Sequence, residues 1–544
     1  MWLRFQTLFI FKCSVLFCVL GCRSYREHES AISKLNPLSY VTTYDDIEEN
    51  QTAQELNGSP SLVEEAGEPV SEIIEPELHL VSLAEPEDIP LPEPDPPESI
   101  VSLDSVINSV YSTYPQLRAA FYKRNIAQGE YLSAQGNFDT KLKGATMNGP
   151  LGYYQTYRQS LGFDQPTYWG GSVFGGYRVG RGNFQPWYLE RQTNGGGEFA
   201  AGVSIPLWRN RQIDERRAEL WSTAWGTHLA EPQIQQELIE FVFLASDAYW
   251  TWVAAGQIYQ IQQQLLDLAV VRNKGIEREV DLGARDPPDL EDNHRLIVSR
   301  EAKVISAHQK FQQASYKLSI FLRDIQGEPI VLSETQIPVF PELGQVPSLS
   351  LENDIQVALG NRPELQEIEF QRKQLQIENN LAHNDALPNV DAILYSSKDI
   401  GSPQKANKTP FELEAGVQVE VPLQRRKAFG KQQALGGKLS QLALKRSLLE
   451  DKIVVELQNV HTALSATYET VQKAREAVRL ARYMADVERQ KFEAGASDLL
   501  SLNLREQQAA AAAETEVEAL LEYFRAEAAY RAVLARDHQN RMSK

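Results

Sequence analysis

Cysteine is almost absent from this 544-residue chain, whose three cysteines, Cys13, Cys18 and Cys22, all lie near its start. A disulfide framework and a cysteine-based metal site are therefore excluded beyond residue 22. A chain without further thiols suits an oxidising cell envelope, where free cysteines mispair. The cysteine distribution thus favours export from the cytoplasm.

The start of the chain lacks an apolar run long enough to span a membrane as a helix. Arg4 and Lys12 interrupt residues 1–21, which is the pattern of a signal peptide. Val19-Leu20-Gly21-Cys22 resembles a bacterial lipobox, and this resemblance implies a lipidated Cys22 as the mature N-terminus. The alternative is an ordinary secretory signal that is cleaved nearby.

Basic residues are missing from residues 35–100, which contain 17 Asp or Glu side chains and many prolines. Like charges extend such a segment, prolines stiffen it, and it has too little apolar surface to fold alone. The net charge of −19 therefore belongs mainly to this segment. We interpret residues 22–100 as a lipid-anchored acidic tether; the alternative is a specific acidic binding segment.

Catalytic motifs are also missing. The eight histidines have no metal-binding spacing such as H-E-x-x-H, and there is no P-loop and no Gly-x-Ser-x-Gly. The sequence therefore predicts no enzyme activity, no cofactor, no metal site and no nucleic-acid partner.

The chain does contain a repeat. "VSIPLWRNR" at Val203–Arg211 and "VEVPLQRRK" at Val419–Lys427 are near-copies, and matching segments precede and follow both. Because these anchors recur in the same order, we predict a duplicated unit. Its copies span residues 101–325 and 350–538, with a linker at 326–349 and a tail at 539–544.

Alternation of apolar and polar residues predicts β-strands. In "FELEAGVQVEV" the apolar residues from Phe411 to Val421 share one face. The other face carries Glu412, Glu414, Gln418 and Glu420. Residues 199–205 have the same pattern, and residues 389–397 and 138–147 are the expected partner strands. We therefore predict two hairpins, or four strands.

Long helices are predicted after each strand pair. Pro206 and Pro422 end the strands, because proline has no N–H to donate, and they mark strand-to-helix junctions. Each junction leads into a helix on the order of 100 Å long, and a shorter helix returns. A coiled-coil seam is indicated by the seven-residue spacing of Leu457, Leu464, Val471, Val478 and Ala485.

The two faces of these strands allow two structures. A soluble sheet would bury the apolar face, whereas a transmembrane barrel would turn it to lipid and keep the acidic face in a wet lumen. We favour the barrel, because the strands have the ~9–11 residues that a tilted membrane strand needs. Basic residues after both prolines suit either lipid phosphates or the start of a helix. Four strands cannot close a barrel, so its strands must come from several chains. Three copies would give twelve strands, enough for a lumen wider than side chains fill.

An insert between Lys143 and Gly197 makes the first repeat longer than the second by 32 residues. It is rich in glycine, tyrosine and tryptophan. The alternatives are an external loop or extra hairpin with an aromatic girdle, or a small surface subdomain. An extra hairpin would raise the strand count above twelve.

The duplicated order of helices, hairpin, "VPL" or "IPL" junction, long helix and glycine-containing tip resembles the TolC-type outer-membrane efflux family, in its lipoprotein branch. The resemblance covers residues 101–538. It implies an α+β membrane protein that forms a homotrimer, with a 12-stranded β-barrel in the outer membrane and an α-helical coiled-coil tunnel across the periplasm. It also implies a periplasmic adaptor (membrane fusion) protein and an inner-membrane RND or ABC pump as partners, besides outer-membrane lipid.

The same resemblance places the periplasmic entrance at the helix tips, where acidic residues hold it narrow. The first tip carries Asp286, Asp289 and Asp292, whereas the second has Ser501 where the family has a carboxylate. We expect the three aspartates to set the charge of the entrance. The alternative is that they only cap the helix that follows.

The predicted function is a passive outer-membrane channel of a tripartite efflux or type I secretion system. The alternative is a lipid-tethered coiled-coil scaffold of the envelope that has no pore. In the first case the four polar residues between Glu412 and Glu420 line the lumen.

Overall fold

Residues 100–186, 191–343, 351–403 and 410–535 are described by a computed structural model of the chain. The predicted signal peptide, Cys22, the tether up to residue 99 and the tail lie outside these residues. The described chain divides into two compact units. The sheet unit comprises Leu132–Ser222 and Gln376–Gly436, and the helical unit comprises most of the remainder.

Helices and strands follow one another twice in the same order. The first series is α1 (Leu103–Thr113), α2 (Pro115–Gln135), β1 (Lys141–Gly149), β2 (Thr156–Pro166), β3 (Ser172–Gly182), β4 (Glu198–Pro206), α3 (Glu215–Asp281) and α4 (Pro287–Leu318). The second is α5 (Leu351–Asn361), α6 (Pro363–Asn384), β5 (Asn389–Asp399), β6 (Phe411–Glu420), α7 (Arg426–Glu493) and α8 (Leu499–Leu534). Pro115 and Pro363 open α2 and α6, because a helix's first position needs no N–H donor.

The sheet has six antiparallel strands in sequence order, not the four that the sequence predicts. The insert supplies the difference, since β2 and β3 form the extra hairpin. The predicted pairing of residues 138–147 with residues 199–205 is also wrong, because β1 pairs with β2 and β4 pairs with β3 and β5. The predicted hairpin of β5 and β6 is confirmed.

Glycines allow the extra hairpin to pack this closely. A Cβ on Gly176 would lie 2.7 Å from the Cα of Gly162 on the neighbouring strand. In the β2–β3 turn Gly171 has φ +78°, and a Cβ there would lie 2.0 Å from the carbonyl oxygen of Ser204. Larger residues at these positions would push the strands apart.

The helical unit has its own apolar core. The five residues of the predicted coiled-coil seam on α7 are all buried. Leu457, Leu464 and Val471 pack in a core that also contains Trp252 of α3 and Phe524 of α8. An 18-residue window of α3 is apolar enough to cross a membrane, but half of that window is buried within the fold. Its apolar character therefore serves packing in the core, as Trp252 and Val253 illustrate.

The two long helices have nearly equal lengths, 67 residues in α3 and 68 in α7. Both end at a glycine with positive φ, +68° at Gly283 and +71° at Gly495. In each tip the following alanine N–H donates to a carbonyl five residues earlier, which is a common way for a helix to end. The glycines are needed because L-residues with side chains rarely adopt this φ.

Candidate functional site

One face of the sheet, which we call the apolar face, is exposed. It carries Leu142, Leu161, Phe163, Val173, Phe199, Ile205, Leu394, Phe411, Leu413, Val417 and Val419, all of them exposed. Leu413 and Val417 each retain 63% of their accessible surface. This is the reverse of the soluble-sheet alternative, in which the apolar side is buried. An apolar face this wide marks contact with lipid or with another protein.

Aromatic residues flank the apolar face at both ends of the sheet. The helix end, where β2 and β4 stop at prolines, has exposed Tyr168, Trp169 and Trp208. The opposite loop end has exposed Tyr153 and Tyr157. Aromatic belts in this position are typical of strands that cross a membrane between two water interfaces.

The opposite side, which we call the polar face, carries charged residues. Glu412, Glu414, Gln418 and Glu420, the residues predicted to line a lumen, lie on it with Asp391 and Asp399. Lys141, Lys143, Arg158 and Arg178 lie on the same face in β1 to β3. The polar face is therefore basic over β1–β3 and acidic over β4–β6.

Ion pairs order the middle of the polar face. Arg178 donates from Nε to Glu198 Oε2 at 2.7 Å, and both side chains are almost fully buried. Lys143 forms a more exposed pair with Asp164 at 2.9 Å. Phe174, Ala200 and Tyr395 form a small cluster of buried residues on the same face. The sequence pattern identified the acidic strand but gave no signal for these cross-strand pairs.

The strand-to-helix junctions lie where the sequence places them. Pro206 is the last residue of β4, and Pro422 follows the last residue of β6 by two positions. The basic residues beside them differ in role. Arg217 is buried and pairs with Asp214 at 3.3 Å, so it serves the start of α3 rather than lipid phosphates. In the second repeat Arg426, Lys427 and Lys431 are exposed.

At the first tip, Arg285 is the central charge, and the sequence reasoning missed it. Its Nε donates to Glu279 at 2.7 Å, and its Nη1 donates to Asp289 at 3.3 Å. Its guanidinium lies 5.0 Å from the ring centre of Phe492, so it also joins the two tips by a cation–π contact. Asp289 is thus partly neutralised.

The other predicted entrance residues divide between two roles. Asp292 lies 3.6 Å from Arg295, with both side chains mostly exposed. Asp286 precedes α4 without a side-chain capping hydrogen bond. Ser501 is a capping partner instead, because its backbone N–H donates to Asp498 Oδ1 at 2.7 Å. At the second tip Asp498 therefore caps its helix with a side-chain hydrogen bond, whereas Asp286 at the first tip does not.

Hydrogen bonds lower two carboxyl pKa values at the second tip. The N–H of Ser501 lowers the pKa of Asp498, and the hydroxyl of Ser497 lowers the pKa of Glu488. In both cases the donor stabilises the ionised carboxylate.

A buried charge cluster lies within the helical unit near the tips. Glu506 of α8 accepts from Arg272 of α3 and, at 3.3 Å, from Arg300 of α4. Glu506 and Arg300 are almost fully buried, and burial lowers the pKa of Arg300. Arg272 also donates to Asn503 at 2.6 Å. Among the described residues, no group of His, Asp or Glu side chains is placed to hold a metal ion.

Solved structures with a similar fold include outer-membrane channels. OprN matches with a TM-score of 0.57 and 14% identity, over 80% of this chain and 89% of that one. CusC matches with a TM-score of 0.57 and 13% identity, over 85% and 99%. Campylobacter jejuni CmeC matches with a TM-score of 0.58 and 11% identity, over 81% and 88%. No protein-family model and no curated protein matches the chain. The structural matches confirm the sequence resemblance at the level of the fold of one chain.

Proposed function

We propose that this chain, which has the fold of outer-membrane channels, forms a passive channel through the bacterial outer membrane. The observation that carries the proposal is the sheet with an exposed apolar face and a charged opposite face. Strands of 9 to 11 residues match the length that a tilted membrane strand needs. A pore-free scaffold would instead have to cover this exposed apolar face with another protein.

The sheet must find partners if it enters lipid, because open strand edges are not tolerated there. β1 and β6 are the edge strands. At the helix end of the polar face β1 carries Lys141 and Lys143, and β6 carries Glu420. The positively charged β1 edge of one copy therefore attracts the negatively charged β6 edge of the next. This attraction favours a head-to-tail ring.

We infer a homotrimer, in which three six-stranded sheets make an 18-stranded barrel. This corrects the twelve strands that the sequence predicts. Barrels of 16–18 strands leave an aqueous channel. The polar face would line this channel and the apolar face would meet outer-membrane lipid.

A channel without a nucleotide site needs energy from elsewhere. We propose that a periplasmic adaptor protein and an inner-membrane RND or ABC pump supply it, in a tripartite efflux or type I secretion system. Lipidation of Cys22 and the acidic tether would add a second attachment to the outer membrane. At the tips, Asp286, Asp289 and Asp292 would give the entrance its charge, reduced by Arg285 and Arg295.

Two neighbouring substitutions on β6 test the membrane assignment. Val417→Lys puts a charge on the apolar face, whereas Gln418→Lys puts one on the polar face. We expect Val417→Lys to prevent insertion, since a lysine facing lipid costs about 2–4 kcal/mol at the membrane midplane. Gln418→Lys should leave insertion intact.

The measurement is the fraction of full-length protein that resists urea extraction from outer membranes. Equal behaviour of the two variants would favour the soluble scaffold. Circular dichroism of both purified proteins shows whether a variant has lost its fold.

A further inference from the structure

Residues 191–193, which precede β4, fold over the polar face at Gly180. The N–H of Thr193 donates to the Gly180 carbonyl at 3.0 Å, and the Gly180 N–H donates to the Thr193 hydroxyl at 3.1 Å. A Cβ on Gly180 would lie 1.9 Å from the carbonyl oxygen of Arg191. The glycine therefore allows the loop to bring Arg191 onto the strand.

Arg191 lines a cavity with two other arginines, Arg158 and Arg178. Arg158 lies opposite Gly180 in the β2–β3 register, and Arg178 lies two residues from Gly180 on the same face. The three side chains line one cavity of about 20 Å³, together with Met147 and other residues. This volume accommodates a single water or oxygen-sized group.

The surroundings of the cavity are basic. Its lining contains three arginines and no Asp or Glu residue. Across the sheet, Glu198 is engaged by Arg178 on both Nε and Nη2. Guanidinium groups donate in a planar fork that matches carboxylate and phosphate oxygens.

We propose that Arg158, Arg178 and Arg191 form a subsite for an oxyanion group, phosphate or carboxylate, of a solute that moves along the polar face. The inference rests on the proposed function, because it takes the polar face to line the lumen. The extra hairpin then does more than widen the barrel: with β1 it makes a basic part of the wall beside the acidic strands β4–β6. A solute with both anionic and cationic groups would meet arginines on β2 and β3 and carboxylates on β4–β6.

Inorganic pyrophosphate is the probe, added to full-length trimer purified in a phosphate-free detergent at constant ionic strength. Binding should raise the melting temperature, because a ligand that binds the folded state stabilises it. Arg158→Gln and Arg191→Gln should raise the half-maximal concentration about fivefold or more, since one lost charge at contact distance changes binding by that order. Arg181→Gln is the matched control, because Arg181 lies on β3 like Arg178 but on the opposite face.

Arg158→Lys is the second variant in case Arg158→Gln fails to fold. Because it keeps the charge, it should retain part of the rise in melting temperature on adding pyrophosphate. Equal responses of the wild type, Arg158→Gln and Arg191→Gln would overturn the proposal, and so would an equal loss in Arg181→Gln. Vesicles of phosphatidylglycerol replace pyrophosphate in a second arm. A response to the vesicles alone would assign the site to lipid headgroups and overturn the solute assignment.

Bilayer recordings separate this inference from the proposed function. A wild-type channel that conducts but is neither stabilised nor blocked by pyrophosphate contradicts only the subsite. A protein that binds pyrophosphate but never conducts contradicts the channel.

Discussion

Glu506 is the single residue on which the buried charges near the tips depend. It is the carboxylate that pairs with both Arg272 and Arg300, and it is 3% exposed. Glu506→Gln should lower the free energy of unfolding of the helical unit by about 3–5 kcal/mol, because two arginines would remain buried without their counter-charge. Urea unfolding followed by circular dichroism measures the change.

Glu516→Gln provides the matched control on the same helix. Glu516 pairs with Arg475 at 3.5 Å in a partly exposed position. Its loss should cost less than about 1 kcal/mol. Similar costs for both variants would show that the buried cluster contributes no more than a surface pair.

The second tip should loosen at acid pH. The pKa values of Asp498 and Glu488 are lowered from their ordinary 3.8 and 4.5, so their contribution to stability is present above those values and lost as pH falls through the lowered ones. Hydrogen exchange at the start of α8, corrected for intrinsic rate, should accelerate below about pH 4. Asp498→Asn keeps a capping side chain without titration and should weaken this dependence. Unchanged pH dependence in that variant would exclude Asp498 as the cause.

At this scale the sequence predicted the strand residues well and the ion pairs poorly. Glu412 and Val417 were assigned to opposite faces, because a strand alternates with period two wherever it lies. Arg285 gave no signal, since its contact with Phe492 joins two tips that are far apart in the chain. The place of Ser501 at the entrance stays a prediction from the resemblance, and nothing in the sequence indicated its hydrogen bonds to Asp498 in the helix cap.

Among the elements, the edge strands decide how copies join. If β6 of one copy pairs with β1 of the next, Glu420 meets Lys141 or Lys143 at the helix end. Glu420→Lys should then weaken the trimer, and adding Lys141→Glu and Lys143→Glu should restore it. Each cross-strand pair is worth roughly 0.2–1 kcal/mol. Trimer resistance to heating in detergent measures the effect.

Glu412→Lys is the control for this exchange, because Glu412 lies at the loop end of β6, where β1 ends in the uncharged Gly149. Weakening by Glu412→Lys equal to that by Glu420→Lys would argue for general charge effects. Failure of the triple variant to recover would argue against this strand pairing.

Element lengths were predictable, but the number of strands was not. The two predicted shorter return helices are confirmed as α4 and α8, because proline and glycine mark the helix ends locally. The strand count failed at the insert, where Gly162, Gly175 and Gly176 dilute the apolar pattern. Those glycines are there for close strand packing, which depends on neighbours that a local pattern does not contain.

The whole molecule should behave as a conducting particle of three chains. We expect mass measurement in detergent to give three copies, and planar-bilayer recordings to show discrete steps with a preference for cations. Replacing Asp286, Asp289 and Asp292 by asparagine should reduce that preference, because it removes three carboxylates per chain from the entrance.

Asp486→Asn, a change to an exposed aspartate on α7, is the control for the entrance triple variant. An unchanged preference in the triple variant would contradict the role of these aspartates. A monomer that does not conduct would contradict the channel itself. From the sequence, barrel closure required several copies and the resemblance implied three, whereas the fold of one chain does not fix the number of copies.

Because α3 and α7 are nearly equal in length, their tips meet, as the contact between Arg285 and Phe492 shows. Removing one turn from α3 alone would draw its tip back by about 5.4 Å and separate Arg285 from Phe492. The same deletion in α7 alone would do so in the opposite sense. We therefore expect an insertion or deletion in one helix to preserve the contact between the tips only if the other helix changes by the same length.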